Sequence, residues 1–219
     1  YGFVAVCMGK GITNILKDLG VDRVIEGGQT MNPSTDDILK AVKRVKAKTV
    51  YVFPNNKNII MAANQAAELV EDKKIVVIPS KSVPQCISAM VEFNDKKSAE
   101  ANEKAMNKAI GRVTSGQLTY AVRDTEIDGI EIKKDDILGM VEGKIVTVGK
   151  DIDDVLNRVV SQMVDEDTEF LNVYYGKEIK KPQADVMLKA LETKYADDEI
   201  EVSFKKGGQP LYYYIISAE

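Results

Sequence analysis

Histidine is missing from the chain altogether. Its absence rules out Ser-His and Cys-His nucleophile pairs, removes the commonest general base and leaves most zinc sites without a ligand. Carboxylate or lysine catalysis stays open, but an independent enzyme is the least favoured class. Cysteine is scarce: Cys7 and Cys86 stand in apolar surroundings without CxxC spacing, as reduced core residues of a cytoplasmic protein do. No apolar run approaches the roughly 20 residues that span a bilayer, and no signal-peptide pattern is present. Neither a Walker A lysine pattern nor G-x-G-x-x-G occurs, which argues against a nucleotide site, and no stretch resembles an EF-hand loop. The chain opens on Tyr1, directly before an apolar strand and without an initiator methionine, as expected of a piece of something longer.

What is present is ordinary in bulk and uneven in distribution. Of 219 residues, 44% are hydrophobic and 29% charged, enough for a substantial core in one or two domains. Residues 1–93 carry 12 Lys+Arg against 9 Asp+Glu, a net of +3; residues 94–219 carry 18 against 25, a net of −7. An acidic second half disfavours nucleic acid and anionic membrane, and suits a basic protein partner.

The first half alternates strands and helices. Phe3–Met8 is a continuous apolar run, as for a strand buried on both faces. Gly9-Lys10-Gly11 leads into a helix that Gly20 stops. Asp22–Ile25, Thr49–Phe53 and Lys74–Ile78 are further strands, with helices over 35–46, 58–70 and 85–93 between and after them. This pattern predicts a parallel sheet with helices on both faces and right-handed crossovers. Three loops at strand carboxyl ends are polar, 27–34, 54–57 and 79–82, and Gly9-Lys10-Gly11 is a possible fourth. Ligands of open parallel sheets bind at that edge.

The stretch Glu26–Val45 concentrates the signals. Two glycines precede Gln29, Thr30, Asn32, Ser34 and Thr35, and a helix follows with Ile38, Leu39, Ala41, Val42 and Val45 inward. Ser34 is the N-cap candidate, with Asp36 and Asp37 at the positive helix end. The stretch reads either as a well-capped connection or as a donor loop for a phosphate or carboxylate.

Residues 96–110 form an alanine-rich helix, read as a partly exposed link between halves. Beyond it the pattern becomes α+β. Residues 112–123 alternate as a strand, Asp128-Gly129 and Glu142-Gly143 turn two hairpins, and a helix covers 151–164. A strand at 170–175, a helix at 181–195 with Pro182 in its first turn, and strands at 199–204 and 211–217 complete the chain. Two subdomains result: 1–93, a parallel α/β sheet, and 94–219, an α+β mixed sheet.

Carboxylates gather in two places. Asp124, Glu126, Asp128, Glu131, Asp135 and Asp136 surround the predicted hairpins; Asp151, Asp153, Asp154, Asp165, Glu166, Asp167 and Glu169 bracket one helix. Singly they read as helix-terminal charges and solvated turns; as a field they steer a basic partner. The eight methionines are scattered, as core fillers are. In the terminal strand Tyr212, Tyr213 and Tyr214 alternate faces, so at least one ring is expected to be exposed.

GGQTMNPSTDDILKAV (27–42) and TVYVFPNNKNIIMAANQAAEL (49–69) resemble the carboxyl-terminal region of the kinase subunit of bacterial fatty-acid kinase, a family related to dihydroxyacetone kinase. The likeness covers the whole chain. The order of elements also looks like the DegV-type fatty-acid-binding proteins, one of which is that kinase's partner. The resemblance therefore implies a DegV-like fold of two subdomains. In DegV-like proteins a T-S-x-P-S loop and a second small-residue loop hold a fatty-acid carboxylate in a cleft. The matching positions here are Gln29-Thr30-Met31-Asn32-Pro33-Ser34 and Pro54-Asn55-Asn56-Lys57, so Gln29, Thr30, Asn32, Ser34, Asn55, Asn56 and Lys57 form a ligand-like set. Two departures stand out. Gly207-Gly208-Gln209-Pro210 lies where the binders carry a histidine-containing strand, and the serine-rich second loop is Asn-Asn-Lys.

The resemblance implies a catalytically silent copy of the binder's fold that docks the true binder, a fatty-acid-binding protein with a basic surface. Asp124, Glu126, Asp128, Asp135, Asp136, Asp165 and Glu166 are the contact candidates. ATP and magnesium are expected on other domains, and no metal or cofactor in this chain. The alternative is a fatty-acid or other carboxylate binder using Thr30, Asn32, Ser34 and Asn55.

Overall fold

The computed structural model describes residues 1–28, 31–127 and 129–219. They fall into two compact units, Tyr1–Val113 and Thr114–Glu219. The boundary lies beyond the 93/94 division expected from sequence, for a reason found in the helix that was read as a link.

Unit 1 is a four-stranded, all-parallel sheet of order β2-β1-β3-β4, with β1 at Gly2–Cys7, β2 at Arg23–Glu26, β3 at Thr49–Phe53 and β4 at Lys74–Val77. Helices α1 (Lys10–Asp18), α2 (Thr35–Lys43), α3 (Ile60–Glu68) and α4 (Val83–Val91) connect or follow the strands. One sheet face buries Val4, Val6, Val50 and Val52 against Ile38, Val42 and Val45 from α2 and its C-terminus, and against Ile59, the N-cap of α3, with Ala63 and Ala66 of that helix. Alternation sends Phe3 and Tyr51 to the other face, where their rings stack 5.6 Å apart and Phe93 meets both edge-on.

Helix α5 (Ala99–Ile110) belongs to that second face. The Tyr51 hydroxyl donates to the Ala99 carbonyl at 3.1 Å, and Met106 and Ala109 are fully buried. Asn102, also fully buried, accepts from the Asn94 amide and donates to the Asn94 carbonyl, both at 2.9 Å. A buried amide satisfied in this way ties the segment down. The alanine-rich helix is thus part of unit 1, because small side chains let it pack close where few large ones announce it.

Unit 2 is a six-stranded mixed sheet of order β11-β10-β12-β5-β8-β9. Its strands are β5 (Thr114–Tyr120), β8 (Ile137–Val141), β9 (Lys144–Gly149), β10 (Phe170–Tyr175), β11 (Glu201–Lys206) and β12 (Tyr214–Ala218). Only β10 and β11 run parallel; the other neighbours are antiparallel. Helices α6 (Ile152–Met163) and α7 (Lys181–Lys194) supply Val155, Leu156, Val159, Val160, Met187 and Leu191 to a core with Leu118, Leu171, Val173 and Ile216. Burying each such side chain is worth about 1.5–3 kcal/mol. Strands β6 (Thr125–Ile127) and β7 (Ile130–Ile132) form a separate two-stranded ribbon.

Three details differ from the expectations. Met90, Met106, Met163 and Met187 are core residues, but Met31 and Met61 are 65% and 70% exposed. Tyr214 is fully buried while Tyr212 and Tyr213 are only half-buried, so no ring of the three is fully exposed. The last strand begins three residues later than expected, because Leu211 takes a left-handed φ of 70° and the preceding loop folds back first.

Candidate functional site

Strand order reverses at β1: the chain steps to β2 on one side and then crosses to β3 on the other. Such a reversal opens a crevice at the carboxyl ends of the two central strands. Two of the polar loops picked out in the sequence, 54–57 and 79–82, are bonded to each other at this edge, and the hydrogen bonds there show how their side chains are used.

Asn55 follows β3 in the left-handed region, φ 55°, which asparagine tolerates better than most residues. Its side-chain NH2 donates to the Val6 carbonyl at 2.9 Å, its backbone N–H donates to Ser80 Oγ at 3.2 Å, and the Ser80 hydroxyl donates back to Asn55 Oδ1 at 2.7 Å. Asn55 is 7% exposed and Ser80 fully buried. One side chain therefore joins the ends of β1 and β3 and the loop after β4. Asn56, also buried, accepts the Asn58 N–H at 2.9 Å and shapes the entry to α3. Lys57 is exposed. Ser80 is the residue that sequence reasoning did not single out; its signal was only a serine behind Pro79 in a loop marked as polar.

Ser34 caps α2. Its hydroxyl oxygen accepts the Asp37 N–H at 3.2 Å, while Asp37 Oδ2 accepts both the Ser34 N–H at 2.9 Å and its O–H at 2.7 Å. This is a capping box, and the two bonds from Ser34 hold the Asp37 carboxyl below its usual range. Asn32 is exposed; Gln29 and Thr30 lie outside the described residues. Gly27 is required by close approach, since a Cβ there would stand 2.6 Å from the Met31 carbonyl oxygen. Beneath the edge, burial pushes up the thiols of Cys7 and Cys86, most strongly the fully buried Cys86. Both are free thiols and poor nucleophiles.

The glycine-rich loop before β12 is bound in the same manner. Gln209, 2% exposed, donates to the Tyr174 carbonyl at 2.7 Å, and the Gly207 and Gly208 amides both donate to the Tyr175 carbonyl at 3.0 Å. A Cβ at Gly176 would come within 2.0 Å of the Tyr212 carbonyl oxygen, so only glycine fits beneath the loop.

The acidic candidates divide by circumstance. Asp136 is buried; it pairs with Lys150 and accepts the Lys133 N–H at 2.8 Å, and the ammonium of Lys150 is the main reason its carboxyl sits low. Asp124 accepts the Lys134 N–H at 2.8 Å and lies 3.9 Å from the Lys133 ammonium. Asp165 closes a turn, accepting the Thr168 hydroxyl at 2.8 Å and the Asp167 N–H at 3.2 Å. Glu126, Asp135 and Glu166 are exposed. Asp128 lies outside the described residues. Asp151 caps α6, and Asp154 pairs with Arg158.

Two geometric facts concern charge. In the ribbon, Glu126 and Glu131 sit directly opposite each other, an unfavourable like-charge pair relieved only by the Lys133–Glu131 ion pair among the described residues. And the structural boundary sharpens the imbalance. Tyr1–Val113 carries 17 Lys+Arg and 12 Asp+Glu, a net of +5; Thr114–Glu219 carries 13 and 22, a net of −9.

A parallel α/β unit joined to a mixed-sheet unit, with polar loops at the parallel sheet's carboxyl edge, is the DegV-type fold. DegV from Bacillus subtilis, a fatty acid binding protein, superposes with a TM-score of 0.66 at 13% identity, covering 99% of this chain and 98% of that one. The dihydroxyacetone kinase of C. freundii superposes with a TM-score of 0.64 at 12% identity, over 99% of this chain and 47% of the kinase. A Streptococcus pneumoniae fatty acid kinase B3 protein loaded with linoleic acid gives 0.53 at 13%, over 85% and 76%.

Sequence carries the assignment further. The model of the FakA-like C-terminal family, the carboxyl-terminal part of fatty acid kinase subunits of that type, matches residues 2–219, and the chain belongs to that family. It is 50% identical over 219 residues to Protein YloV of Bacillus subtilis, covering all of this chain and 39% of YloV. The chain thus spans about two fifths of the length of the curated relatives it matches.

Proposed function

We propose that this chain is the partner-docking domain of a fatty-acid kinase subunit. It binds the kinase's fatty-acid-binding protein so that the acyl carboxylate can be phosphorylated by other domains of a longer protein, which hold ATP and magnesium. It performs no phosphoryl transfer itself, and it works in the cytoplasm.

The observation that carries this reading is the commitment of the ligand-like loop. Asn55 is bonded to Val6 and Ser80, Asn56 accepts from Asn58, and Ser34 is bonded to Asp37, so three side chains of the ligand-like set already serve the fold, while Asn32 and Lys57 are exposed. A carboxylate that drew on the Asn55 amide would take it from the buried Val6 carbonyl, at a cost of about 1–3 kcal/mol. Family membership supplies the kinase setting, and the net charge of −9 on Thr114–Glu219 favours a basic partner there. The exposed carboxylates Glu126, Asp135 and Glu166 are the main contacts. Asp136, Asp124 and Asp165 serve the fold.

Sedimentation velocity of the chain mixed with the fatty-acid-binding protein tests the reading. At low salt and on the order of tens of micromolar protein, a faster-sedimenting complex is expected, weakening as salt rises. No complex under these conditions removes the proposal. Fatty acid extracted from the purified chain would favour the carboxylate-binding alternative instead.

A further inference from the structure

We propose that the outer edge of β2 is a docking site for an extended, acidic segment of another polypeptide, added to the sheet as a fifth strand. The site lies in unit 1 and takes a partner opposite in charge to the one proposed for unit 2, so the two readings stand or fall separately.

Strand β2 ends the sheet on one side. Alternate residues of a parallel strand turn both backbone groups outward, and on β2 no strand among the described residues receives them. Beside this edge runs a groove of about 490 Å³ lined by β2 from Arg23 to Glu26, by Lys40, Ala41 and Arg44 of α2 and its C-cap, and by Met31 and Pro33. Ile25, half-buried on the α2 face of β2, and Ala41 give the groove apolar contact for a side chain of an added strand.

Charge selects the occupant. The groove carries Arg23, Lys40 and Arg44 against Glu26 and Asp37. Asp37 is engaged by Ser34, and Lys40 pairs with Asp36. Arg23 and Arg44 are exposed and have no ion pair or side-chain hydrogen bond among the described residues. Two uncommitted guanidinium groups, against the single exposed carboxylate of Glu26, thus line the groove beside an open strand edge and can each take a carboxylate bidentately. Charged side chains also guard edge strands against indiscriminate pairing. A guard made of guanidinium repels a basic strand and admits an acidic one, while Met31 in the groove's lining offers an apolar anchor.

The probe is a fluorescein-labelled peptide of about seven alternating glutamates and valines, a common strand length, read by anisotropy at low salt. Its controls are the same peptide with lysine for glutamate, and the glutamate peptide N-methylated at alternate residues, which keeps the charge but cannot extend a sheet. The account expects the glutamate peptide to bind and both controls to fail. It expects R23E combined with R44E to weaken binding at least ~10-fold, and the neutral pair R23Q with R44Q to weaken it less. No binding of the glutamate peptide overturns the proposal, as does equal binding of the N-methylated peptide or unchanged binding by both double variants.

Discussion

The side-chain amide of Asn55 donates to the backbone carbonyl of Val6 at 2.9 Å, across the carboxyl ends of the two central strands of unit 1. This is the place where open parallel sheets accept ligands. Here Asn55 commits its amide to the protein's own backbone, and Ser80 from the loop after β4 bonds both its side chain and its N–H.

Replacing Asn55 tests these bonds. Asn55→Ala removes the bonds to Val6 and Ser80 and places a Cβ-bearing residue without a compensating amide at φ 55°. A loss of about 2–4 kcal/mol is expected in chemical denaturation. Asn55→Gly relieves the backbone but restores no hydrogen bond, so its loss should be smaller. Equal losses would mean that the backbone conformation contributes nothing.

Gly139 of β8 lies where α6 crosses the sheet. A Cβ there would stand 2.4 Å from Val159 Cγ2 and 2.5 Å from Thr147 Cγ2. Gly139→Ala should lower stability by about 1–3 kcal/mol through overpacking. Adding Val159→Ala should recover part of the loss, measured as the coupling in a double-mutant cycle; simple additivity would refute the contact.

The capping box has a pH signature. Asp37 titrates below its ordinary value of 3.8 because Ser34 donates two hydrogen bonds to the ionised carboxylate. A depressed pKa in the folded state means that this contribution is complete above the unfolded pKa and disappears as pH falls through the folded one. Ser34→Ala should move the Asp37 midpoint upward in an NMR titration and cost about 1 kcal/mol in helix stability. An unmoved midpoint would place the cause elsewhere.

Glu126 separates folding from docking. Opposite Glu131 it is a like-charge neighbour, so Glu126→Lys should leave thermal stability unchanged or slightly raised. The same substitution should weaken the complex with the fatty-acid-binding protein. Asp136→Asn should behave in reverse, lowering stability with little direct effect on the partner, because Asp136 is buried against Lys150. If Glu126→Lys left the complex intact, the ribbon would not be part of the interface.

Much of the scaffold could be read from the chain. The apolar run of β1, the Ser34 cap, the Gly20 stop and the hairpin turn at Glu142-Gly143, both in positive φ, are local signals set by local chemistry. The order β2-β1-β3-β4 and the membership of α5 are not local: they depend on which surfaces meet, and α5 shows only Met106 and small residues to its neighbours. At the site, sequence located the loops but not their state. That Asn55 points inward follows from its left-handed backbone and from Ser80, 25 residues away, a pairing no periodicity reveals. Equally, Asp136 looked like its exposed neighbour Asp135 until Lys150 was placed beside it.

Mapping the complex by NMR tests the central claim most directly. The isotopically labelled chain is titrated with the acyl-loaded fatty-acid-binding protein, and backbone amide shifts are followed residue by residue. The account predicts perturbations centred on Glu126, Glu131, Asp135 and Glu166, with Asn55 and Ser80 unmoved. Shifts confined to residues 27–34 and 54–57, or produced equally by free fatty acid alone, would contradict it.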